Sequence, residues 1–295
     1  MAALRYHVVD VFTDVRFGGN PLAVVLDADE LPTDRMHALA REFHLSETAF
    51  PLRASEPERA GGADYRLRIF TPEVELPFAG HPSVGTAWLL ARLGRVGAGR
   101  VVQACGAGLL PLQVAADGGP VELTGGEPAV SDPVDPGPLL AAVGLDGGEL
   151  AGPPPRVAGT GIGFAVLPVA PGALARCEPD PVRLRSFAHP VSDATGVYVV
   201  AWDPETRTAR ARMFAGDVGV PEDPATGSAA LGLGVWLVAS GLLPGDGTAA
   251  YTVEQGVEMG RRSVLRCSVE ASGGAVVAVR VAGDVVPVAE GTITV

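Results

Sequence analysis

The sequence predicts an α+β protein of two pseudo-symmetric lobes, each with β-strands wrapped around a central helix. Three observations support this fold class: an internal repeat, two helices that are apolar on nearly every side, and short β-rich runs separated by Gly, Pro and Asp turns. The chain has 295 residues, of which 47% are hydrophobic and 19% charged. It can therefore bury a large core and does not have the composition of a disordered chain.

The repeat appears when the sequence is shifted against itself by 144 positions (212 − 68 = 144). Arg68-Ile-Phe70 then aligns with Arg212-Met-Phe214, and Val74 aligns with Val218. In each copy a short strand is followed by a glycine-bearing turn and then by a strongly apolar helix. Chance similarity between short apolar strands is the alternative explanation, but the shared order of elements favours a duplication.

The two helices of the repeat are predicted at Ser83–Arg95 and Gly227–Ser240. The first has Trp88 on one face and Leu89 with Leu90 on another, and the second has no polar face at all. A helix that is apolar all round must be buried all round, so each is expected to lie at the centre of a layer of strands.

The other elements are less regular. A softer amphipathic helix is predicted at Asp34–Phe43, with Thr33 as its N-cap, on the outside of the first lobe. The Pro- and Gly-rich stretch Gly125–Pro155 is interpreted as the connection between lobes and as loops. The clearest predicted strands are Tyr65–Phe70, Val197–Trp202 and Ala275–Val281.

These elements predict two domains. The N-terminal lobe comprises residues 1–125, completed by a C-terminal strand at about 283–295, and the C-terminal lobe comprises residues 126–282.

Composition excludes several classes of protein. All 22 basic residues are arginine, and a chain without lysine has neither a Schiff-base lysine nor the lysine of a standard P-loop. The net charge of −12, with no basic run, argues against nucleic-acid binding.

Cellular location is predicted from the cysteines and the apolar runs. Cys105, Cys177 and Cys267 form no C-x-x-C pair and no disulfide framework, and no signal peptide is recognisable, so the cytoplasm is expected. The uncharged stretch between Asp223 and Asp246 is interpreted as a buried helix and not as a membrane span.

Three segments carry candidate chemistry. They are Ser46–Phe50, which contains Glu47, Pro77–Thr86, which contains Gly80 and His81, and Glu222–Ser228. The last two open the central helices, where unpaired N–H groups can hold a carboxylate. Each segment has a simpler alternative: Asp223 as an ordinary N-cap before Pro224, His81 bonded to a loop carbonyl, and Glu47 as a surface carboxylate at a strand edge. No histidine has metal-ligand spacing, so no metal is expected.

Taken together, the motifs resemble the phenazine-biosynthesis PhzF family. They occur in family order across nearly the whole chain: Val9-Asp10-Val-Phe12-Thr13, Gly19-Asn20-Pro21, Ser46-Glu47-Thr48, Gly80-His81-Pro82, Glu222-Asp223-Pro224-Ala-Thr-Gly227-Ser228 and Glu254-Gln255-Gly256. The resemblance implies the diaminopimelate epimerase-like fold, with the active site in the cleft between lobes, and a homodimer.

The resemblance also implies a cofactor-independent isomerase that shifts a proton within a small carboxylate-bearing metabolite, such as trans-2,3-dihydro-3-hydroxyanthranilate. Glu47 corresponds to the acid/base carboxylate, and His81 and Asp223 to the other catalytic residues. A carboxylate in a water-poor cleft would have a raised pKa, suited to both acid and base roles. The implied substrate-binding residues are Asn20, Ser46, Gly80, Gly227 and Ser228.

Two alternatives remain open. Related racemases use two facing thiols, and no cysteine lies at either helix opening, which disfavours that mechanism but leaves an epimerase based on Glu47 and Asp223. The other alternative is a non-catalytic protein that binds a small molecule in the same cleft.

Overall fold

A computed structural model describes residues 3–187, 194–216 and 221–295 of the chain. The helices are α1 (Thr33–Phe43), α2 (Glu56–Ala60), α3 (Gly80–Arg92), α4 (Pro136–Ala142), α5 (Pro181–Phe187) and α6 (Gly227–Ala239). The strands are β1 (Ala3–Val11), β2 (Asn20–Val25), β3 (Glu47–Leu52), β4 (Tyr65–Phe70), β5 (Glu75–Leu76), β6 (Gly99–Cys105), β7 (Gly108–Val114), β8 (Val121–Thr124), β9 (Pro128–Pro133), β10 (Arg156–Thr160), β11 (Gly163–Pro168), β12 (Ala194–Asp203), β13 (Thr208–Phe214), β14 (Glu222–Asp223), β15 (Gly247–Gln255), β16 (Ser263–Ser272), β17 (Ala275–Gly283) and β18 (Val285–Thr294).

The chain forms two compact units. One comprises Met1–Thr124 with Ala282–Val295, and the other comprises Gly125–Val281. In the first unit β18 pairs antiparallel with β1, so the last strand of the chain completes the sheet that the first strand begins.

Both units have the same order of strand pairing. In the first, β1–β2 is antiparallel, β2–β3 parallel, β3–β4 antiparallel, β4–β6 parallel and β6–β7 antiparallel. In the second, β10–β11, β11–β12, β12–β13, β13–β15 and β15–β16 repeat that series in the same directions. The repeat seen in the sequence is thus a repeat of topology. The part of it that includes Val218 lies outside the described residues.

Each central helix is buried along almost its whole length. In α3 the residues from Gly80 to Leu90 are buried, and in α6 Ser228 is the only half-buried residue before Ala239. Helix α3 starts three residues before the predicted Ser83, because Pro82 falls in the first turn, where the missing N–H and the fixed φ of proline are tolerated. The predicted Ser83–Arg95 boundaries are therefore wrong by three residues at each end.

The strand before each helix is held by the same group of side chains. Arg68 on β4 makes two hydrogen bonds of 2.7 Å to Glu75 on β5, and its Cζ lies 5.0 Å from the centroid of the Phe70 ring. In the second unit Arg212 on β13 makes two hydrogen bonds of 2.8 Å to Glu222 on β14.

The second copy repeats the ring contact too, since the Arg212 Cζ lies 4.8 Å from the centroid of the Phe214 ring. We call these two arrangements the Arg–Glu clamps. Two parallel N–H···O bonds set the orientation of both partners, so each clamp fixes the short hairpin that leads to a central helix.

Two local predictions were wrong. Pro32, and not Thr33, is the N-cap of α1, and the helix starts at Thr33 itself. The segment Gly125–Pro155 contains β9 and α4, and Leu139, Leu140 and Ala142 of α4 are in the core of the second unit, so this segment is more than a connection. Its short apolar pieces lack a helical or strand period long enough to be recognised.

The remaining predicted elements are present. Strand β4 has the predicted bounds, and α6 ends one residue before the predicted Ser240. Within the described ranges, no helix has the length and hydropathy needed to cross a bilayer.

Gly232 in α6 tests the burial of the central helices. A Cβ added there would lie 2.6 Å from the carbonyl oxygen of Ala158 on β10. Overpacking costs about 1–3 kcal/mol, and the upper part of this range, about 2–3 kcal/mol, applies because the neighbouring atoms are backbone. Alanine gains about 1 kcal/mol of helix propensity, so we expect Gly232→Ala to lower the free energy of unfolding by about 1–2 kcal/mol. Urea denaturation measures this. Gly97→Ala, where a Cβ has no heavy atom within 4 Å, is the control, and an equal change in both variants would contradict the close packing.

Candidate active site

In the first unit Asn20, Glu47 and His81 are brought together. Asn20 begins β2, Glu47 begins β3, and His81 is the second residue of α3. The Nδ1 atom of His81 lies 3.1 Å from Asn20 Nδ2 and 3.5 Å from Glu47 Oε2. A carboxylate and an imidazole are thus in contact at the start of a buried helix.

Burial determines the charge of His81. Its ring is 4% exposed, and desolvation lowers its pKa to about 3, although a hydrogen bond with the Pro21 backbone acts in the opposite direction. His81 is therefore neutral at physiological pH. Its Nε2 is buried and has no hydrogen-bond partner within the described part of the chain, so this atom is available to a ligand.

Glu47 is mostly buried, with 15% of its side chain exposed. Strand β3 lies between β2 and β4, because Glu47 pairs with Leu22 and Thr48 pairs with Phe70. The interpretation of Glu47 as a surface carboxylate at a strand edge is therefore wrong. Ser46, which precedes it, is half-buried in the turn that leads to β3.

The start of α3 has the character expected of an anion site. Ala79 is the N-cap, and no side chain caps the first turn. Gly80 and His81 are the first two helical residues, and both are buried. The first N–H groups of a helix have no partner within the helix and carry its partial positive charge, so a carboxylate is favoured there.

In the second unit Asp223 has a different role from the ordinary N-cap. It lies in β14, paired with Met213, and Thr226 is the N-cap of α6. The Thr226 hydroxyl donates a hydrogen bond of 2.5 Å to Asp223 Oδ2, and the Asp223 residue is 8% exposed. The N-cap interpretation is wrong because the helix starts only at Gly227, four residues after Asp223.

Gly227 and Ser228 are the first two residues of α6, the first buried and the second half-buried. They correspond in helix position to Gly80 and His81 of α3. Both central helices thus begin with a glycine, but they carry different side chains at the second position, His81 in α3 and Ser228 in α6.

Tyr198, Thr226 and Gln255 are linked to Asp223 by hydrogen bonds, and the sequence pattern indicated no role for any of the three. The Gln255 amide hydrogen-bonds to Thr226 and to the Asp223 carbonyl, and Tyr198 donates to Gln255. One signal was present in the sequence. Gln255 continues the inward-facing positions of β15, after Tyr251 and Val253, and an amide in an apolar row indicates a buried polar contact.

The cysteines lie outside both helix openings, and all three are buried and free. Burial raises the pKa of Cys177 to about 11 and that of Cys267 to about 12, so neither is a thiolate at neutral pH. Among the residues that the structure describes, no group of three His, Cys, Asp or Glu side chains is placed to hold a metal ion.

Comparisons with known proteins point in one direction. A family model described as phenazine biosynthesis-like protein matches residues 9–291. A Mesorhizobium japonicum protein named as an uncharacterized isomerase is 37% identical over 99% of either chain. The trans-2,3-dihydro-3-hydroxyanthranilate isomerase of Pseudomonas aeruginosa is 36% identical over 97% of this chain and 98% of its own.

Solved structures agree. A PhzF-family phenazine biosynthesis protein of Bacillus anthracis matches with a TM-score of 0.87 and 26% identity over all of both chains. A hydroxyproline epimerase of Agrobacterium vitis matches with a TM-score of 0.67 and 15% identity over 99% of this chain and 92% of its own, which shows a shared fold. The α+β fold expected from the resemblance is thus confirmed.

The lowered pKa of His81 predicts how stability changes with pH. Below about 6.5 the unfolded chain binds a proton at this residue, whereas the folded chain binds it only near pH 3. Protons therefore favour unfolding in this window, and the free energy of unfolding should fall as pH decreases from 6.5 towards 3.

Urea denaturation of the wild type and of His81→Gln at pH 7.5 and 4.5 measures this contribution. We expect a smaller difference between the two pH values in the variant, since it has no imidazole to protonate. An equal difference in both proteins would show that His81 is not neutralised by burial.

Proposed function

The chain belongs to the phenazine biosynthesis-like family of isomerases, and we propose that it shifts a proton within a small carboxylate-bearing metabolite without a cofactor. The substrate class is that of trans-2,3-dihydro-3-hydroxyanthranilate, after which the P. aeruginosa relative is named. One observation carries the proposal: a mostly buried Glu47 lies 3.5 Å from an imidazole that burial keeps neutral.

We assign the proton transfer to Glu47. Its carboxylate takes a proton from one carbon of the substrate, and the electron pair of the broken C–H bond moves into the conjugated system. The carboxylic acid then returns the proton to another carbon, where a new C–H bond forms. No electrons are gained or lost overall, so the reaction needs neither a redox partner nor a metal.

His81 suits a carboxyl group that must exist in both protonation states. In the structure the Asn20 amide nitrogen, which can only donate, faces His81 Nδ1, so Nδ1 is an acceptor there. When Glu47 is ionised, Nδ1 can carry a proton and donate it to Glu47 once the Asn20 amide turns its oxygen towards the ring. When Glu47 is protonated, its O–H can be donated to Nδ1, and the imidazole proton is then on Nε2. A neutral imidazole can serve as donor or acceptor in this way, and an imidazolium cannot.

Substrate binding is assigned to the two helix starts. The uncapped N–H groups at Gly80 and His81 would bind the substrate carboxylate, and His81 Nε2 would contact a polar group of the substrate. Asp223 would accept from an amine or hydroxyl group. Asn20, which contacts His81, and Ser46, Gly227 and Ser228 complete the proposed set.

Replacement of Glu47 by Gln tests the assignment. The amide keeps the shape of the side chain but cannot take a proton, so we expect the turnover number to fall by about 10²–10⁴-fold, the range for loss of a general acid–base. Proton NMR in heavy water with trans-2,3-dihydro-3-hydroxyanthranilate reports isomerisation and deuterium uptake separately.

Glu42→Gln is the matched control, because Glu42 is an exposed residue of α1. It should turn over like the wild type. Full turnover by Glu47→Gln would remove Glu47 from the mechanism. Tight binding without proton movement in the wild type would indicate a binding protein, and inversion at a chiral carbon would indicate an epimerase.

A further inference from the structure

Gln255 is a buried amide at the end of β15. It has no exposed surface, and the preceding inward-facing residues of its strand, Tyr251 and Val253, are also buried. A buried amide destabilises the fold unless its donors and acceptor are all hydrogen-bonded. The partners of Gln255 should therefore account for its presence at this position.

Both ends of the Gln255 side chain are occupied. Oε1 accepts from the Tyr198 hydroxyl at 3.1 Å and from the Thr226 N–H at 3.3 Å. Nε2 donates to the Asp223 carbonyl at 2.6 Å and to Thr226 Oγ1 at 2.9 Å. The amide cannot be turned over, because the Asp223 carbonyl only accepts and the Thr226 N–H only donates.

The orientation of the amide determines the direction of the next hydrogen bond. Thr226 Oγ1 already accepts from Gln255, so its own proton is directed to Asp223 Oδ2, 2.5 Å away. The hydroxyl thus presents a donor to the carboxylate and stabilises its acceptor form. Asp223 is held through its carbonyl by Gln255 and through its carboxylate by Thr226.

Close backbone packing holds the end of β15 against the chain that follows Asp223. Gly256, which follows Gln255, has φ of 72°, and a Cβ there would lie 2.7 Å from the Pro224 carbonyl oxygen. Only glycine allows the end of β15 to approach the chain after Asp223 so closely.

The first unit has a related arrangement. In β6, the counterpart of β15, Gln103 accepts from the Tyr65 hydroxyl at 3.0 Å and donates to Ser83 Oγ at 3.0 Å. The Ser83 hydroxyl then donates to the Ala79 carbonyl, the N-cap of α3. In that unit the chain of hydrogen bonds ends on backbone, whereas in the second unit it ends on a carboxylate.

We propose that Gln255 is a positioning residue: acting through Thr226, it fixes the orientation of the Asp223 carboxylate for substrate binding. This rests on the proposed function, in which Asp223 binds the substrate. Gln255 itself does not contact the substrate, and the effect of its loss reaches the substrate through Asp223.

Thr226→Val removes the hydroxyl with little change of shape, and Thr226→Ser restores it. With the full chain and trans-2,3-dihydro-3-hydroxyanthranilate as probe, we expect Thr226→Val to raise KM about 5-fold or more and to lower kcat/KM about 10–100-fold, because misplaced binding groups cost up to about 10²-fold. Thr226→Ser should recover kcat/KM to within about threefold of the wild type. Gln255→Glu, which keeps the shape but loses both N–H donors, should raise KM in the same way.

Tyr251→Phe is the matched control. It removes a buried hydroxyl that donates to the Ala230 carbonyl of α6, and it leaves Asp223, Thr226 and Gln255 untouched. A purely structural role would lower the melting temperature of Thr226→Val and of Tyr251→Phe alike and leave KM unchanged in both. That result, or an unchanged kcat/KM in Thr226→Val, would overturn the proposal. If Gln255→Glu does not fold, the Thr226 variants decide.

Crystal structures of Thr226→Val and Tyr251→Phe give a readout that needs no substrate. We expect the Asp223 carboxylate to leave its position in the first and to keep it in the second. If the wild type does not turn over the substrate, the proposed function is refuted. The crystal structures would still test whether Thr226 and Gln255 fix the position of Asp223. An unmoved Asp223 in Thr226→Val would refute the positioning role.

Discussion

Burial of a helix on every side is the constraint on which this structure depends. Helices α3 and α6 have no continuous polar face, so each is stable only inside a layer of strands. Backbone groups within the helix are satisfied by the helix itself, and only its first and last turns have groups left over. Polar chemistry is therefore confined to the ends, and the candidate residues Gly80, His81, Gly227 and Ser228 are all in a first turn.

The same burial constrains the charge and the hydrogen bonding of each polar side chain near a helix start. His81 is kept neutral, the Gln255 amide has partners at both ends, and the hydroxyls of Ser83 and Thr226 each take part in a directed chain of hydrogen bonds. Groups that are fully hydrogen-bonded in a water-poor setting are rigid, since any rotation would leave a donor or acceptor unmatched. Such rigidity is what a site needs in order to hold a small substrate in one orientation.

Much of the fold could be predicted because the spacing of apolar residues along a segment, and the share of them, indicate which of its faces are buried. The strand Tyr65–Phe70 alternates, and the helix at Gly227 is uniformly apolar, so both were found. The sequence pattern places the start of α3 at Ser83, after Pro82, but a first turn accepts proline and the helix begins at Gly80.

The site was less accessible to sequence reasoning. Contacts such as those of Glu47 with His81 or of Gln255 with Asp223 join residues 34 and 32 positions apart in the chain (81 − 47 and 255 − 223), and local pattern carries no information on them. For Glu47 the family resemblance supplied the assignment. For Gln255 the resemblance supplied a motif but no role. The role follows only from the hydrogen bonds in the structure.

The Arg–Glu clamps have a consequence for how such proteins can diverge. The clamps are alike, yet four residues separate Phe70 from Glu75 and seven separate Phe214 from Glu222. The alignment of the two strands therefore does not depend on the number of residues between them. A change in that number leaves the entry to the central helix in place, so one half of the protein can gain or lose residues at this link without displacing the first turn of its central helix.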